Sequence, residues 1–220
     1  MATPITILIV DDYEIIRKGI HSFLDTQTEF KVIGEAGSGQ EAVDVVSKLV
    51  PDIVLLDMSM PDMDGIELTT RIKKISPHTQ VVILTSLSSN WYSFLALKAG
   101  AISYLLMKDI KMDELAEALR CAARGEATFG PQVAASIVQY IRGEQNDLFL
   151  TSLSNRETDV LKLIASGLTN SQIAQRLQIS ENTVKGHVSN IRTKLQIANR
   201  VHLAVYAWEN GIVSPSSIII

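Results

Sequence analysis

The hydrophobic positions of this chain change rhythm along its length. The first half carries short, nearly uninterrupted apolar runs: Ile5-Thr6-Ile7-Leu8-Ile9-Val10, Ile53-Val54-Leu55-Leu56, Val81-Val82-Ile83-Leu84 and Tyr104-Leu105-Leu106-Met107. Such runs belong to strands buried on both faces. With the segment 30–35 they predict strands over 5–10, 30–35, 53–57, 80–85 and 102–107. Amphipathic stretches between them predict helices over 13–26, 39–49, 65–75, 90–99 and 111–124. Alternating strand and helix implies right-handed crossovers and a parallel sheet. The punctuation agrees: Ser38 and Glu41 have capping-box spacing, Pro51 and Pro77 each interrupt a helix before the next strand, and Gly100 suits a helix C-cap.

Beyond residue 124 the strand rhythm stops. Gly125 and Gly130-Pro131 punctuate a joint, residues 133–141 could form a short helix, and Gly143-Glu144-Gln145-Asn146-Asp147 reads as a polar linker. Residues 154–211 read as four short helices, with capping-box spacing at Ser154/Glu157 and Thr169/Gln172 and with Gly167 ending the first. The expected organisation is an α/β domain over 1–124, a linker over 125–150 and a small all-α domain over 151–220.

Charge follows that division. Residues 1–150 hold 13 Lys+Arg and 20 Asp+Glu, net −7, while residues 151–220 hold 7 and 4, net +3. An acidic front and a basic back suggest that only the back meets a polyanion. At 220 residues the chain is long enough for one or two domains with a real core. One cysteine, Cys121, excludes an internal disulfide framework and fits a reducing cytoplasm. No apolar run nears the roughly 18 residues of a membrane span, and no basic segment precedes an apolar stretch at the N-terminus.

The strand ends carry the chemistry. Asp11-Asp12 close the first run, Asp57 the third, Thr85 the fourth, and Lys108 follows the fifth. In a parallel α/β sheet those carboxyl ends form the ligand crevice. Three carboxylates there repel one another unless a cation joins them, and Mg²⁺ takes such hard oxygen ligands while keeping waters and phosphate oxygens. Asp57 opens Asp57-Met58-Ser59-Met60-Pro61-Asp62-Met63-Asp64-Gly65. A strand-end carboxylate can attack a phosphoryl group. Asp11, Asp12 and the Ser59 main-chain carbonyl can add metal ligands, Lys108 can neutralise a phosphoryl oxygen, and Thr85 can hydrogen-bond one.

Residues 5–124 therefore resemble a receiver domain of two-component response regulators. The resemblance implies a flavodoxin-like sheet of order 2-1-3-4-5, Asp57 as phosphoacceptor, Asp11 and Asp12 as the metal-binding pair, Thr85 as the switch hydroxyl, Tyr104 as the switch aromatic and Lys108 as the family lysine. One departure stands out. The family has Tyr-x-x-Lys at the fifth strand, whereas Tyr104-Leu105-Leu106-Met107-Lys108 holds one more residue. Residues four apart in a regular strand face the same way, so a β-bulge is expected to absorb the extra residue and let Lys108 reach the crevice. The alternative seats Met107 at the lysine position and leaves Lys108 in solvent.

In the second half, Leu153-Ser154-Asn155-Arg156-Glu157, the run 160–167, Asn170-Ser171-Gln172-Ile173-Ala174-Gln175-Arg176-Leu177 and the run 180–191 carry a second likeness. They resemble the LuxR-type helix-turn-helix of NarL/FixJ response regulators. Val184, Val188, Ile191 and Leu195 recur at helical spacing as an inner stripe. A recognition helix in the major groove would present Lys185, Gly186 and Ser189, with Asn182, Thr183, Lys194 and Arg200 as phosphate candidates. Gly186 and Ser189 leave this face less basic than is usual in the family, so binding as a dimer is expected.

The resemblance implies a phosphorylation-activated transcription regulator with Mg²⁺ as cofactor. Its expected partners are double-stranded DNA, a sensor histidine kinase or small phosphodonor, a second copy of the chain when active, and RNA polymerase. Two other classes compete. An aspartyl-phosphate phosphatase would want a second Asp two residues after the nucleophile, where Ser59 stands. A DNA-binding regulator with an atypical, phosphorylation-independent receiver would account for the Tyr104–Lys108 spacing.

Overall fold

The structure is a computed structural model, and it describes residues 3–87, 90–142, 153–195, 197 and 199–213. The polar linker expected over 143–147 lies outside the described residues. The chain forms two compact units, Met1–Ala135 and Ser136–Ile220.

In the first unit the apolar runs become strands β1 (Ile5–Val10), β2 (Phe30–Ala36), β3 (Ile53–Leu56), β4 (Gln80–Thr85) and β5 (Ser103–Leu106). They form one parallel sheet of order β2-β1-β3-β4-β5. The connecting helices are α1 (Glu14–Leu24), α2 (Gly39–Leu49), α3 (Gly65–Ile75), α4 (Asn90–Lys98) and α5 (Met112–Ala123). Alternate strand residues divide between two cores. Ile7, Ile9, Ile53, Leu55, Val82, Leu84 and Leu105 pack with Ile20 and Leu24 of α1 and Leu115 and Leu119 of α5. Leu8, Val10, Val54, Leu56, Val81 and Ile83 have the opposite parity and are equally buried. Burial on both faces is why these strands are continuous rather than alternating in hydrophobicity.

The expected bulge in β5 is absent. β4 and β5 pair in unbroken register from Val82↔Ser103 to Thr85↔Leu106, and Met107 N–H continues the ladder to Thr85 O at 2.9 Å. The irregularity among the described strand pairs lies instead between β1 and β2, where Ile7 faces Val32 but Leu8 faces Gly34.

After α5, Thr128 N–H donates to Ser103 Oγ at 2.9 Å, and Phe129 forms a parallel bridge with Tyr104. The start of the joint thus lies along the outer edge of β5. Helix α6 (Pro131–Ile141) follows.

The second unit holds α7 (Asn155–Ala165), α8 (Asn170–Leu177), α9 (Glu181–Leu195) and α10 (Arg200–Glu209). Both expected capping boxes form: Ser154 with Glu157, and Thr169 with Gln172. At Ser38 only half does, because Glu41 turns its carboxylate to Gly37 N–H. Val184, Val188, Ile191 and Leu195 are buried as the expected stripe, with Val160, Leu161, Ile164, Ile173 and Leu203 completing the core.

Candidate functional site

Parallel pairing brings the ends of β1 and β3 together. Asp57 N–H donates to Val10 O at 2.9 Å, and Asp11 N–H to Ala36 O at 3.2 Å. One carboxylate oxygen from each of Asp11, Asp12 and Asp57 then lies within 4.8 Å of the others. Asp11 and Asp57 are buried and Asp12 is exposed. Burial, with the charges of Asp57 and Asp12 beside it, pushes the Asp11 carboxyl up to about 6 against the opposing pull of the Tyr13 amide and Arg17. Asp57 Oδ2 accepts from Ser59 N–H at 3.1 Å, whereas Oδ1 is buried without a hydrogen-bond partner among the described residues. A buried oxygen in that condition is costly unless a cation or donor reaches it. Three converging carboxylates, one with an unfilled lone pair, suit a hard divalent cation such as Mg²⁺. Ser59 lies exposed two residues beyond Asp57.

Thr85 and Tyr104 are both 0 % exposed, and both engage the main chain of Leu87. Leu87 N–H donates to Thr85 Oγ1 at 3.3 Å, and Tyr104 Oη donates to Leu87 O at 2.9 Å. One residue of the loop after β4 therefore connects the two switch candidates. Lys108 lies elsewhere than expected. Met107, half-buried, packs against the core shared by α1 and α5. It lines a groove there with Ile16, Ile20, Leu84 and Leu115. Lys108 follows in the turn 107–109 and is exposed, with no hydrogen bond or ion pair to any described residue. The fifth strand end thus turns its thioether onto the core of α1 and α5 and leaves the ammonium exposed.

Two residues with no signal in the sequence pattern, Arg17 and Asp62, bind main-chain groups around these loops. Arg17 Nη1 donates to Asp11 O at 2.6 Å. Asp62 accepts from Gly39 N–H at 2.8 Å and Gln40 N–H at 3.0 Å. Both act on main-chain groups of other segments, and such contacts leave no periodicity in a sequence.

In the second unit, Ser180 Oγ accepts from Thr183 N–H at 3.0 Å and starts α9. Gln178 makes the turn before it, at φ 54°. Asn182, Thr183, Lys185, Gly186 and Ser189 are exposed on α9. Among the described residues, Lys185 has only an exposed contact to Glu181, at 3.4 Å. Two expected phosphate contacts are otherwise engaged. Lys194 Nζ pairs with the buried Glu157 carboxylate at 2.7 Å. Arg200 is half-buried, and its Nη1 donates to Asn170 Oδ1 at 2.8 Å and its Nη2 to Leu168 O. Lys194 neutralises the buried Glu157 carboxylate, and Arg200 ties the start of α10 to Leu168 and Asn170, so both cations serve the packing of this unit.

A parallel sheet of this order with an acidic cluster at its carboxyl end, followed by a helix-turn-helix unit, defines the response-regulator class. Comparison with known proteins agrees. A profile of response regulator receiver domains matches residues 7–120, and one of bacterial regulatory proteins of the luxR family matches residues 151–207. Response regulator protein VraR of Staphylococcus aureus is 40% identical over 209 residues, covering 95% of this chain and 99% of that protein. The chain belongs to the LuxR-type response regulators, a family of two-component, DNA-binding transcription regulators. Among solved structures, RcsB of Salmonella enterica serovar Typhimurium, bound to promoter DNA in the presence of the phosphomimetic BeF3−, superposes with a TM-score of 0.63 at 25% identity, over 93% of this chain and 98% of that one. ChrA, the response regulator of a heme-sensing two-component system, gives 0.52 at 32% identity, over 96% and 100%. Among the described residues no helix is long and apolar enough to cross a membrane.

Proposed function

We propose that this chain is a transcription regulator switched by phosphorylation of Asp57, with a receiver over 1–124, a joint over 125–150 and a DNA-binding domain over 151–220. The observation that carries this reading is the buried, unpartnered Oδ1 of Asp57 within a cluster of three carboxylates at the end of the sheet. Asp11, Asp12, Asp57 and the Ser59 carbonyl would hold Mg²⁺. When bound, Mg²⁺ supplies the charge that lets a carboxylate and a phosphoryl group approach each other. An Asp57 oxygen forms a bond to phosphorus as the bond from phosphorus to the donor breaks, and the donor leaves with that electron pair. The donor is a sensor histidine kinase or a small acyl phosphate.

The Thr85 hydroxyl then donates to a phosphoryl oxygen. Any shift of Thr85 disturbs its bond to Leu87 N–H, and through Leu87 the Tyr104 hydroxyl. The change favours a homodimer whose α9 helices enter two major grooves, presenting Asn182, Thr183, Lys185, Gly186 and Ser189, in the cytoplasm and within reach of RNA polymerase. Intact-mass measurement after acetyl phosphate treatment tests the site. A single adduct is expected, lost in Asp57→Ala and in excess chelator. A full adduct on Asp57→Ala excludes the assignment.

A second reading, a DNA-binding regulator with a phosphorylation-independent receiver, draws on one observation: Lys108 is exposed, with no hydrogen bond or ion pair to any described residue. The first reading requires Lys108 to swing in to a phosphoryl oxygen, so Lys108→Ala should uncouple phosphorylation from dimerisation. Normal dimerisation of that variant on phosphorylation favours the second reading.

A further inference from the structure

We propose that Asp62 is a positioning residue for the metal site. It clamps the loop that carries Asp57 and Ser59 to the N-terminus of α2. The proposal rests on the phosphorylation reading above and adds a residue to it. The loop from Asp57 to Asp64 is closed at its base by the Ser59↔Asp64 bridge and by Gly65 N–H donating to Met58 O at 3.3 Å. Its tip has no strand to lean on. Asp62 supplies the anchor with both carboxylate oxygens, Oδ1 on Gly39 N–H at 2.8 Å and Oδ2 on Gln40 N–H at 3.0 Å. Met63 follows it onto the same helix end, so closely that a Cβ on Gly39 would fall 2.6 Å from Met63 Cβ.

The anchor suits the anchored group. The opening amides of a helix have no partner inside the helix, and they favour negative charge. Ser38 Oγ takes the next amide, Glu41 N–H, at 3.2 Å. Asp62 thus completes the cap of α2 from a distant segment. The two amide bonds hold the Asp62 carboxyl below the usual carboxylate range, so it stays ionised in the clamp. A loop released at its tip can still fold, but the Ser59 carbonyl and the Asp57 carboxylate no longer keep a fixed relation. Metal binding is sensitive to that relation, because Mg²⁺ demands near-ideal geometry.

The test compares Mg²⁺ binding by calorimetry and phosphorylation by acetyl phosphate in four full-length chains: unaltered, Asp62→Ala, Asp62→Asn and Ser38→Ala. Asp62→Ala should raise the Mg²⁺ Kd about tenfold, as expected for the loss of charge-assisted bonds. Its phosphorylation rate should recover at saturating Mg²⁺. Asp62→Asn keeps one acceptor oxygen and should fall between the two. Ser38→Ala removes a capping bond from the same helix without touching the loop, so it should lower thermal stability and leave the Mg²⁺ Kd unchanged. An unchanged Kd in Asp62→Ala overturns the proposal, as does an equal loss in Ser38→Ala. Should Asp62→Ala fail to fold, Asp62→Asn decides alone by the same criterion. Absence of Mg²⁺ binding in the unaltered chain overturns the phosphorylation reading together with this one. Normal binding by the unaltered chain with no effect of Asp62 overturns only this one.

Discussion

Two buried polar side chains show how single residues are constrained here. The Tyr104 ring is enclosed, so its hydroxyl needs a partner, and it finds one in Leu87 O at 2.9 Å. Burial, with Asp57 and Tyr92 near, raises its pKa, so it stays a donor at any physiological pH. Tyr104→Phe leaves that carbonyl short of a partner and should destabilise the first unit by about 1 kcal/mol, read as a lower urea midpoint. Glu157 is the second case. Burial alone would raise its pKa, but Lys194 and Ser154 outweigh burial and hold it at about 2. A depressed carboxylate pKa contributes stability that is fully present above the unfolded value near 4.5 and is lost as pH falls through the folded value. Glu157→Gln should therefore cost about 2–3 kcal/mol at pH 7, below the roughly 3–5 kcal/mol of fully buried pairs because Lys194 is partly exposed. The gap to the unaltered chain should close as the pH is lowered from about 4.5 toward about 2. Calorimetry at several pH values measures it, and a pH-independent gap would show that the pair is not the cause.

Among the elements, β5 carries the clearest competition between forces. A bulge would have preserved the orientation of Lys108 at the cost of an unpaired residue. The regular strand keeps the Met107-to-Thr85 ladder bond and packs the Met107 side chain on the core of α1 and α5. A side chain of that size gains up to about 1.5–3 kcal/mol on full burial, with less here for partial burial. The three carboxylates do not need the Lys108 ammonium to offset their repulsion, because a bound metal cation meets that need. The outer edge of β5 is also used, by Thr128 N–H on Ser103 Oγ and by the Phe129 bridge. Ser103→Ala should free that segment, raising amide exchange at Thr128 while α5 stays protected. Unchanged protection at Thr128 would mean that the bridge alone holds it.

At the scale of the whole molecule, charge separates the tasks: net −7 over residues 1–150 and net +3 over residues 151–220. The second part should bind duplex DNA with a clear salt dependence, and Lys185→Ala should weaken it by about 1–3 kcal/mol if that ammonium reads a base edge. With Lys194 and Arg200 engaged internally, one recognition face offers few cations. The phosphorylated chain should accordingly protect two half-sites about one helical turn apart in footprinting. Protection of a single half-site would contradict the dimer.

The elements, the acidic cluster and the helix-turn-helix were legible in the sequence because each is written in local terms. Strand and helix periods are properties of short windows, and a parallel sheet brings strand-end residues together whatever its loops do. Asp11, Asp12, Asp57, Thr85 and the stripe Val184, Val188, Ile191 and Leu195 all belong to that part. The seat of Met107, the engagement of Lys194 and Arg200, the link through Leu87 and the clamp at Asp62 were decided by tertiary structure alone. The first depends on how Met107 packs against the core of α1 and α5. The last three depend on which distant main-chain group or buried charge comes within about 3 Å of a side chain, the reach of a hydrogen bond. That distance is set by how strands and helices pack across the chain, and no local pattern records it.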